Sequence, residues 1–210
     1  MSDRLTRLRW VLLLVSLLGS AAASAKDPVV APEELVFCTV CHGVQLMDNP
    51  IIRAPRLSGL SSWYVEKQLH AFKDGWRGVH EADLVGMEMQ PMAAALTDKQ
   101  IKQAASFVVA TDSPMPERTL DGNPSAGRAL YATCSACHGN QAEGNEALGS
   151  PALAGLNDWY LREQLEKFKS GTRGSHPADT TGQQMRAAMQ VLGDETAIDD
   201  VVAYIATLSH

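Results

Sequence analysis

Beyond its first two dozen residues the sequence has no apolar run long enough to cross a bilayer. It also lacks the strict apolar–polar alternation that a half-buried strand requires. Cysteine is confined to two tight pairs, Cys38/Cys41 and Cys134/Cys137, which leaves no others for a wider disulfide framework. These absences exclude a spanning segment in the body of the chain and argue against a sheet. Positive charge is the minority: 18 basic against 24 acidic residues give a net charge of −6, an unfavourable balance for nucleic acid or an anionic membrane surface. A basic docking patch on a partner would suit it. What is present is a globular composition, 45% hydrophobic and 20% charged.

The first residues read as an address. Arg4, Arg7 and Arg9 precede an apolar stretch from Trp10 to Leu18, and small residues ending in Ala23-Ser24-Ala25 follow. This pattern predicts a secretory signal peptide over residues 1–25, cut before Lys26, with an uncleaved anchor as the alternative. That segment holds three arginines and one aspartate, so its removal takes the net charge from −6 to −8. Export would place the chain in the periplasm, an oxidising compartment where a Cys-x-x-Cys pair does not persist as free thiols.

The second half of the chain repeats the first at an offset of 96 residues. Cys38, Cys41 and His42 align with Cys134, Cys137 and His138. Pro55, Leu57 and Gly59 align with Pro151, Leu153 and Gly155. The register continues through Trp63-Tyr64 with Trp159-Tyr160, Gln68-Leu69 with Gln164-Leu165, Phe72-Lys73 with Phe168-Lys169, and Arg77 with Arg173. It reaches His80 with His176, Met89 with Met185, and Asp98 with Asp194, after which one extra residue shifts it to 97. Two copies of one unit follow, at 26–110 and 123–210, joined by a linker at 111–122. The linker holds Pro114 and Pro116 without apolar periodicity, which predicts an exposed connection.

Each unit reads as all-α. Asn123 is placed to cap a helix opened by Pro124 and running into Cys134. Leu161, Leu165 and Phe168 keep helical spacing between Asn157-Asp158 and Gly171, and Ile198, Val201, Val202 and Ile205 do so after Asp194. The first unit repeats this over Ser62–Lys73 and Thr97–Ala110, with Thr97 and Gln100 forming a capping-box pattern. Units of this size have little interior of their own, so a large apolar cofactor would complete the core.

Cys38-Thr39-Val40-Cys41-His42 and Cys134-Ser135-Ala136-Cys137-His138 carry the chemistry. Cys-x-x-Cys-His is the attachment signal for c-type haem. Residues three and four apart share one helix face, so two thiols can bond one haem edge while the histidine turns toward the iron. A thioredoxin-like pair would need a strand–helix setting, and a zinc site would need four ligands per unit. The sixth ligand in carrier cytochromes is commonly methionine. Among Met87, Met89, Met92, Met185 and Met189, only Met89 and Met185 coincide in the repeat, each 47 residues after its histidine. They are the expected axial partners of His42 and His138, carried on loops ahead of the last helices. A packing role for these methionines, or ligation by His80 and His176, are the alternatives. Met92 and Met189 read as packing.

With these motifs the chain resembles the dihaem class I cytochromes c of the c4 type over nearly all of the expected mature protein. The likeness is carried by the two motifs ending in Gly43 and Gly139, the Pro-x-Leu-x-Gly stretches, the Trp-Tyr, Gln-Leu and Phe-Lys-x-Gly helices, and the methionine segments. The second unit also resembles haem domains attached to terminal oxidase subunits. The resemblance implies two tandem class I cytochrome c domains with two haem c groups. It implies that the carbonyls of Pro55 and Pro151 accept hydrogen bonds from His42 and His138. Arg77 and Arg173 would meet haem propionates or remain solvated. Gly127 and Tyr131 would pack the first helix of the second unit on its last, near Tyr204, whereas the first unit has Ala31 and Leu35 at those places, a looser arrangement. The implied function is one-electron transfer, not catalysis, between redox proteins such as a quinol-oxidising complex and a terminal oxidase or reductase. A haem enzyme of the dihaem peroxidase or thiosulfate dehydrogenase type competes with it, as does the electron-accepting subunit of a flavoprotein complex.

Overall fold

In a computed structural model, residues 29–208 are described; the expected signal peptide lies outside the described residues. Eight α-helices follow in order: α1 (Val36–His42), α2 (Ser62–Lys73), α3 (Leu84–Ala94), α4 (Asp98–Ala110), α5 (Pro124–His138), α6 (Asp158–Ser170), α7 (Thr180–Ala188) and α8 (Glu195–Ile205). Short 3-10 turns sit at Glu33–Leu35, Glu146–Leu148 and Met189–Val191. Among the described residues the only extended pairings are two single bridges, Asn49 with Ala54 and Asn145 with Ser150, at matching places in the two units. No helix of the described residues is long and apolar enough to cross a membrane.

Caps set several helix starts. The Asn123 side chain accepts from Ser125 N and Ala126 N, and Pro124 opens α5 where a missing N–H does no harm. Thr97 and Gln100 make a reciprocal capping box on α4. Asp194 accepts from Ala197 N at 2.9 Å and so caps α8. Thr97 and Asp194 are therefore structural equivalents, and the extra residue, Gly193, falls before the cap. The pairing of Asp98 with Asp194 read from the sequence is off by one at this point.

Each unit buries its own apolar cluster. Leu35, Leu46, Val65, Ala105, Phe107 and Val108 close the first, with α2 against α3 and α4. Tyr131, Leu161, Phe168, Ile198, Val201 and Val202 anchor the second, with α5 against α8. Each fully buried large aliphatic contributes about 1.5–3 kcal/mol. At Gly127 a Cβ would lie 1.8 Å from the Asp200 carbonyl oxygen, so only glycine lets these two helices cross so closely. Beside it the Tyr131 and Tyr204 rings meet at 5.4 Å. In the first unit Leu35 is fully buried, but Ala31 precedes any helix and α1 has only seven residues.

Two elements depart from the expectations. The methionine segments are helical, not loops: Asp83 caps α3 through Gly86 N, and Asp179 caps α7 through Gly182 N. The linker is also less exposed than its composition suggests. Thr111 and Ser113 are buried. The guanidinium of Arg56 donates to Ser113 O (3.0 Å), to Pro114 O and to Ser58 O (2.9 Å). Asp158 takes hydrogen bonds from Thr119 N, Thr119 Oγ1 and Leu120 N. Burial raises the Asp158 pKa, but these donors, with Trp159 N, outweigh it and hold the carboxyl below its ordinary value.

Candidate haem sites

Helices α1 and α5 end on the attachment motifs, and both stop at the glycine that follows the histidine. Helical spacing puts Cys38 and Cys41, like Cys134 and Cys137, about one turn apart. None of the four forms a disulfide; Cys38 and Cys134 are half-buried, and Cys41 and Cys137 are exposed. His42 and His138 are buried, at 6% and 7% exposure. Each Nδ1 donates to a proline carbonyl, Pro55 O and Pro151 O, at 2.8 Å in both units. That bond assigns the proton to Nδ1 and leaves Nε2 as the nitrogen free to ligate. Burial holds both imidazoles below their ordinary pKa, opposed by the proline hydrogen bonds.

An apolar cleft in the first unit is lined by Cys38, Cys41, His42 and Pro55 on one side and by Met89 on α3. Met92 borders it too, although it is 40% exposed. Met87 faces solvent. In the second unit Met185 packs against the cluster that also receives Cys134 and Leu153, while Met189 is a core residue at 2% exposure. The alternative distal histidines lie elsewhere. His80 is exposed, and the His176 ring stacks on Trp76 at 5.8 Å across the two units.

The methionine helices are held by close backbone crossings. A Cβ at Gly78 would lie 2.4 Å from Gly86 O, and one at Gly174 would lie 2.3 Å from Gly182 O, with φ of +74° and +75°. Only glycine meets both demands, so the loop carrying each arginine passes directly over the first turn of α3 or α7.

Sequence reasoning missed the contribution of each unit to the other. Tyr160, Glu163, Gln164 and Lys167 of α6 line the cleft of the first unit. Arg77 donates to Gln68 (2.8 Å) within its unit and to Tyr160 and Gln164 (3.1 Å each) across it. Arg173 mirrors this, with Gln164 (2.9 Å) on its own side and Tyr64 (3.2 Å) and Gln68 (2.8 Å) across. Each guanidinium also lies 4.5 Å over a phenylalanine ring, Phe72 or Phe168. Burial raises the Tyr160 pKa, yet the two guanidiniums outweigh it and hold the phenol below its ordinary value. Neither arginine is a free solvated side chain. Retention of Tyr64/Tyr160, Gln68/Gln164 and Arg77/Arg173 in both copies was the available signal; Glu163 and Lys167 have no such counterpart.

The sequence profile of the cytochrome c family matches residues 32–112 and again 124–209. This chain belongs to the cytochrome c family. It is 33% identical to a thiosulfate dehydrogenase electron acceptor of Stutzerimonas stutzeri, covering 83% of each chain. It is 30% identical to cytochrome c4 of Pseudomonas aeruginosa over 91% of this chain and 94% of that one. Its fold matches the solved cytochrome c4 of Acidithiobacillus ferrooxidans with a TM-score of 0.65 at 29% identity, covering 81% of this chain and 98% of that one. It is thus a cytochrome c4-like electron-transfer protein with two covalently bound haem c groups.

The residues fit that group. In the first unit two thiols and an imidazole border an apolar cleft, and Arg77 Nε is buried without a hydrogen-bond partner. An N–H left unmet in such a place costs about 1–3 kcal/mol unless an acceptor such as a propionate reaches it. Among the described residues no group of three or more His, Cys, Asp or Glu is arranged to hold a bare metal ion.

Proposed function

We propose that this cytochrome c is a periplasmic one-electron carrier whose two haem sites are both closed by His/Met ligation. Cys38 and Cys41 hold the first haem and Cys134 and Cys137 the second. His42 with Met89, and His138 with Met185, are the axial ligands, and Pro55 and Pro151 fix the histidine tautomers. The units span residues 26–110 and 123–210, with the linker at 111–122, after removal of residues 1–25. When bound, haem iron supplies the one-electron chemistry by cycling between two oxidation states.

The observation that carries this reading is the matched 2.8 Å bond from each histidine Nδ1 to its proline carbonyl, together with Met89 on the wall of the same cleft. The bond orients the imidazole equally in both units, and closure of the opposite position rests on Met89 at the cleft of the first unit and on Met185 packed beside Cys134 in the second. The carrier would pass electrons from a quinol-oxidising complex to a terminal oxidase or reductase. A second donor is favoured by one observation: the relative in Stutzerimonas stutzeri is a thiosulfate dehydrogenase electron acceptor, which makes a thiosulfate-oxidising enzyme the alternative partner.

The test is an optical spectrum of the purified protein, oxidised and reduced, with and without carbon monoxide, and a pyridine haemochrome count. Two haems per chain, a methionine–iron charge-transfer band when oxidised and no change with carbon monoxide are expected. Carbon monoxide binding at either site would overturn closed ligation there and favour an enzyme.

A further inference from the structure

The two units face each other with near-mirror contacts, and at one place the mirror fails. On α6, Glu163 and Lys167 reach the cleft of the first unit. Their repeat counterparts are Lys67 and Ala71. Lys167 Nζ pairs with Asp83 Oδ1 at 2.6 Å and also with Glu163. Glu163 Oε2 in turn takes Arg53 Nη2 at 2.8 Å. Three of its members are enclosed, Asp83, Glu163 and Lys167 having side-chain exposures of 2%, 8% and 13%, while Arg53 is 56% exposed.

Asp83 has a second task. The same Oδ1 accepts from Gly86 N at 3.0 Å, which caps α3, and Met89 lies three residues further along that helix. In the second unit Asp179 caps α7 in the same way, accepting from Gly182 N at 2.9 Å. There the cation from across the interface, Lys67, reaches only the Thr181 hydroxyl, which is 3.5 Å from Asp179. The position of Lys167 is filled by Ala71. One methionine helix is thus clamped by a direct ion pair from the other unit, and its counterpart is not.

We propose that Lys167 is a positioning residue for Met89: by holding the Asp83 cap, the second unit sets the axial ligation and the reduction potential of the first site. The inference rests on the reading of Met89 as an axial ligand. Removing one partner of a buried ion pair leaves the other charge uncompensated. Without Lys167, Asp83 at the start of α3 and Glu163 at the cleft would be left with Arg53 as the remaining cation of the cluster. Negative charge there favours the oxidised form, and a displaced methionine lowers the potential as well.

The experiment is a potentiometric titration of the holoprotein resolving two midpoints, with the methionine–iron charge-transfer band recorded on the same samples. A Met185→His variant identifies the second site, because His/His ligation lowers its midpoint. Lys167→Gln is expected to lower the first-site midpoint, leave the second in place and weaken the methionine band. Glu163→Gln should move the same midpoint upward, and Lys167→Arg should restore wild-type behaviour. Unchanged midpoints in Lys167→Gln, or equal shifts at both sites, would overturn the proposal. Absence of the methionine band in the wild type, or no response to Met185→His, would instead overturn the ligand reading on which it rests.

Discussion

Replacing Gly127 with alanine should destabilise the second unit, although alanine is the better helix former. The added Cβ would lie 1.8 Å from Asp200 O, 2.5 Å from its carbonyl carbon and 2.9 Å from Tyr204 Cβ. Non-bonded carbons settle at about 3.5–4.0 Å, so α5 and α8 must separate by more than about 1 Å. Such overpacking costs about 1–3 kcal/mol. Separation also weakens the Tyr131–Tyr204 pair, now at 5.4 Å, a contact worth about 0.5–1.5 kcal/mol. Against this, alanine returns about 1 kcal/mol of helix propensity. The net loss is about 1–3 kcal/mol, which in a unit of this size lowers Tm by about 5–20 °C. Thermal unfolding of the holoprotein by circular dichroism reads the shift, and amide hydrogen exchange locates it in α5 and α8. A Tm that is unchanged or higher would refute the close crossing. Ala31→Gly, at the counterpart outside any helix, should cost no more than about 1 kcal/mol.

Asp158→Asn should cost about 1–3 kcal/mol at neutral pH by weakening the linker bonds. Because the folded carboxyl titrates below its ordinary value, its contribution is complete above the unfolded pKa and drains as pH falls through the folded one. The Tm gap between variant and wild type should therefore hold steady down to about pH 5 and shrink as pH is lowered to about 3; a gap constant over that whole range would contradict the argument. Arg56→Leu removes the donors to Ser113 O, Pro114 O and Ser58 O and should cost about 2–5 kcal/mol. Limited proteolysis should then cut first within residues 111–122, and cleavage no faster than wild type would count against the strap. Met189→Ala should lower stability by about 2–5 kcal/mol from its buried position while both methionine–iron signatures persist. Loss of one signature would make Met189, not Met185, the ligand.

The sequence exposes what depends on covalent spacing and on helical period. Cys-x-x-Cys-His needs its residues at fixed steps along one helix, so the motif reads directly, as do helices whose apolar residues face one side, such as α6 and α8. The methionine helices escape that logic. The α3 segment contains Gly86 and Pro91, and its apolar residues do not gather on one face; Leu84 and Met87 are exposed while Met89 meets the cleft. The α7 segment is mostly polar. Both are helical because an aspartate caps them and a glycine loop crosses their first turn, and neither partner lies within the periodic window a sequence reading uses. The tethering of the otherwise largely exposed linker escapes it for a similar reason: its backbone is held by Arg56, 57 residues before Ser113, and by Asp158, 39 residues after Thr119.

The internal repeat separates some of these roles and conflates others. His42/His138 and Pro55/Pro151 make the same bond in both copies, and both bonds stay within a unit. Arg77/Arg173 are retained equally, yet each guanidinium divides its donors between its own glutamine and the other unit's tyrosine and glutamine. Retention alone cannot separate a residue kept for its own haem from one kept because the two units face each other across a pseudo-two-fold axis. Positions where the repeat breaks carry different information. Lys67 in the place of Glu163, and Ala71 in the place of Lys167, are differences that make the two faces of the interface unequal. They lie where one unit touches the methionine helix of the other, and there the structure gives two otherwise matched sites different electrostatic surroundings.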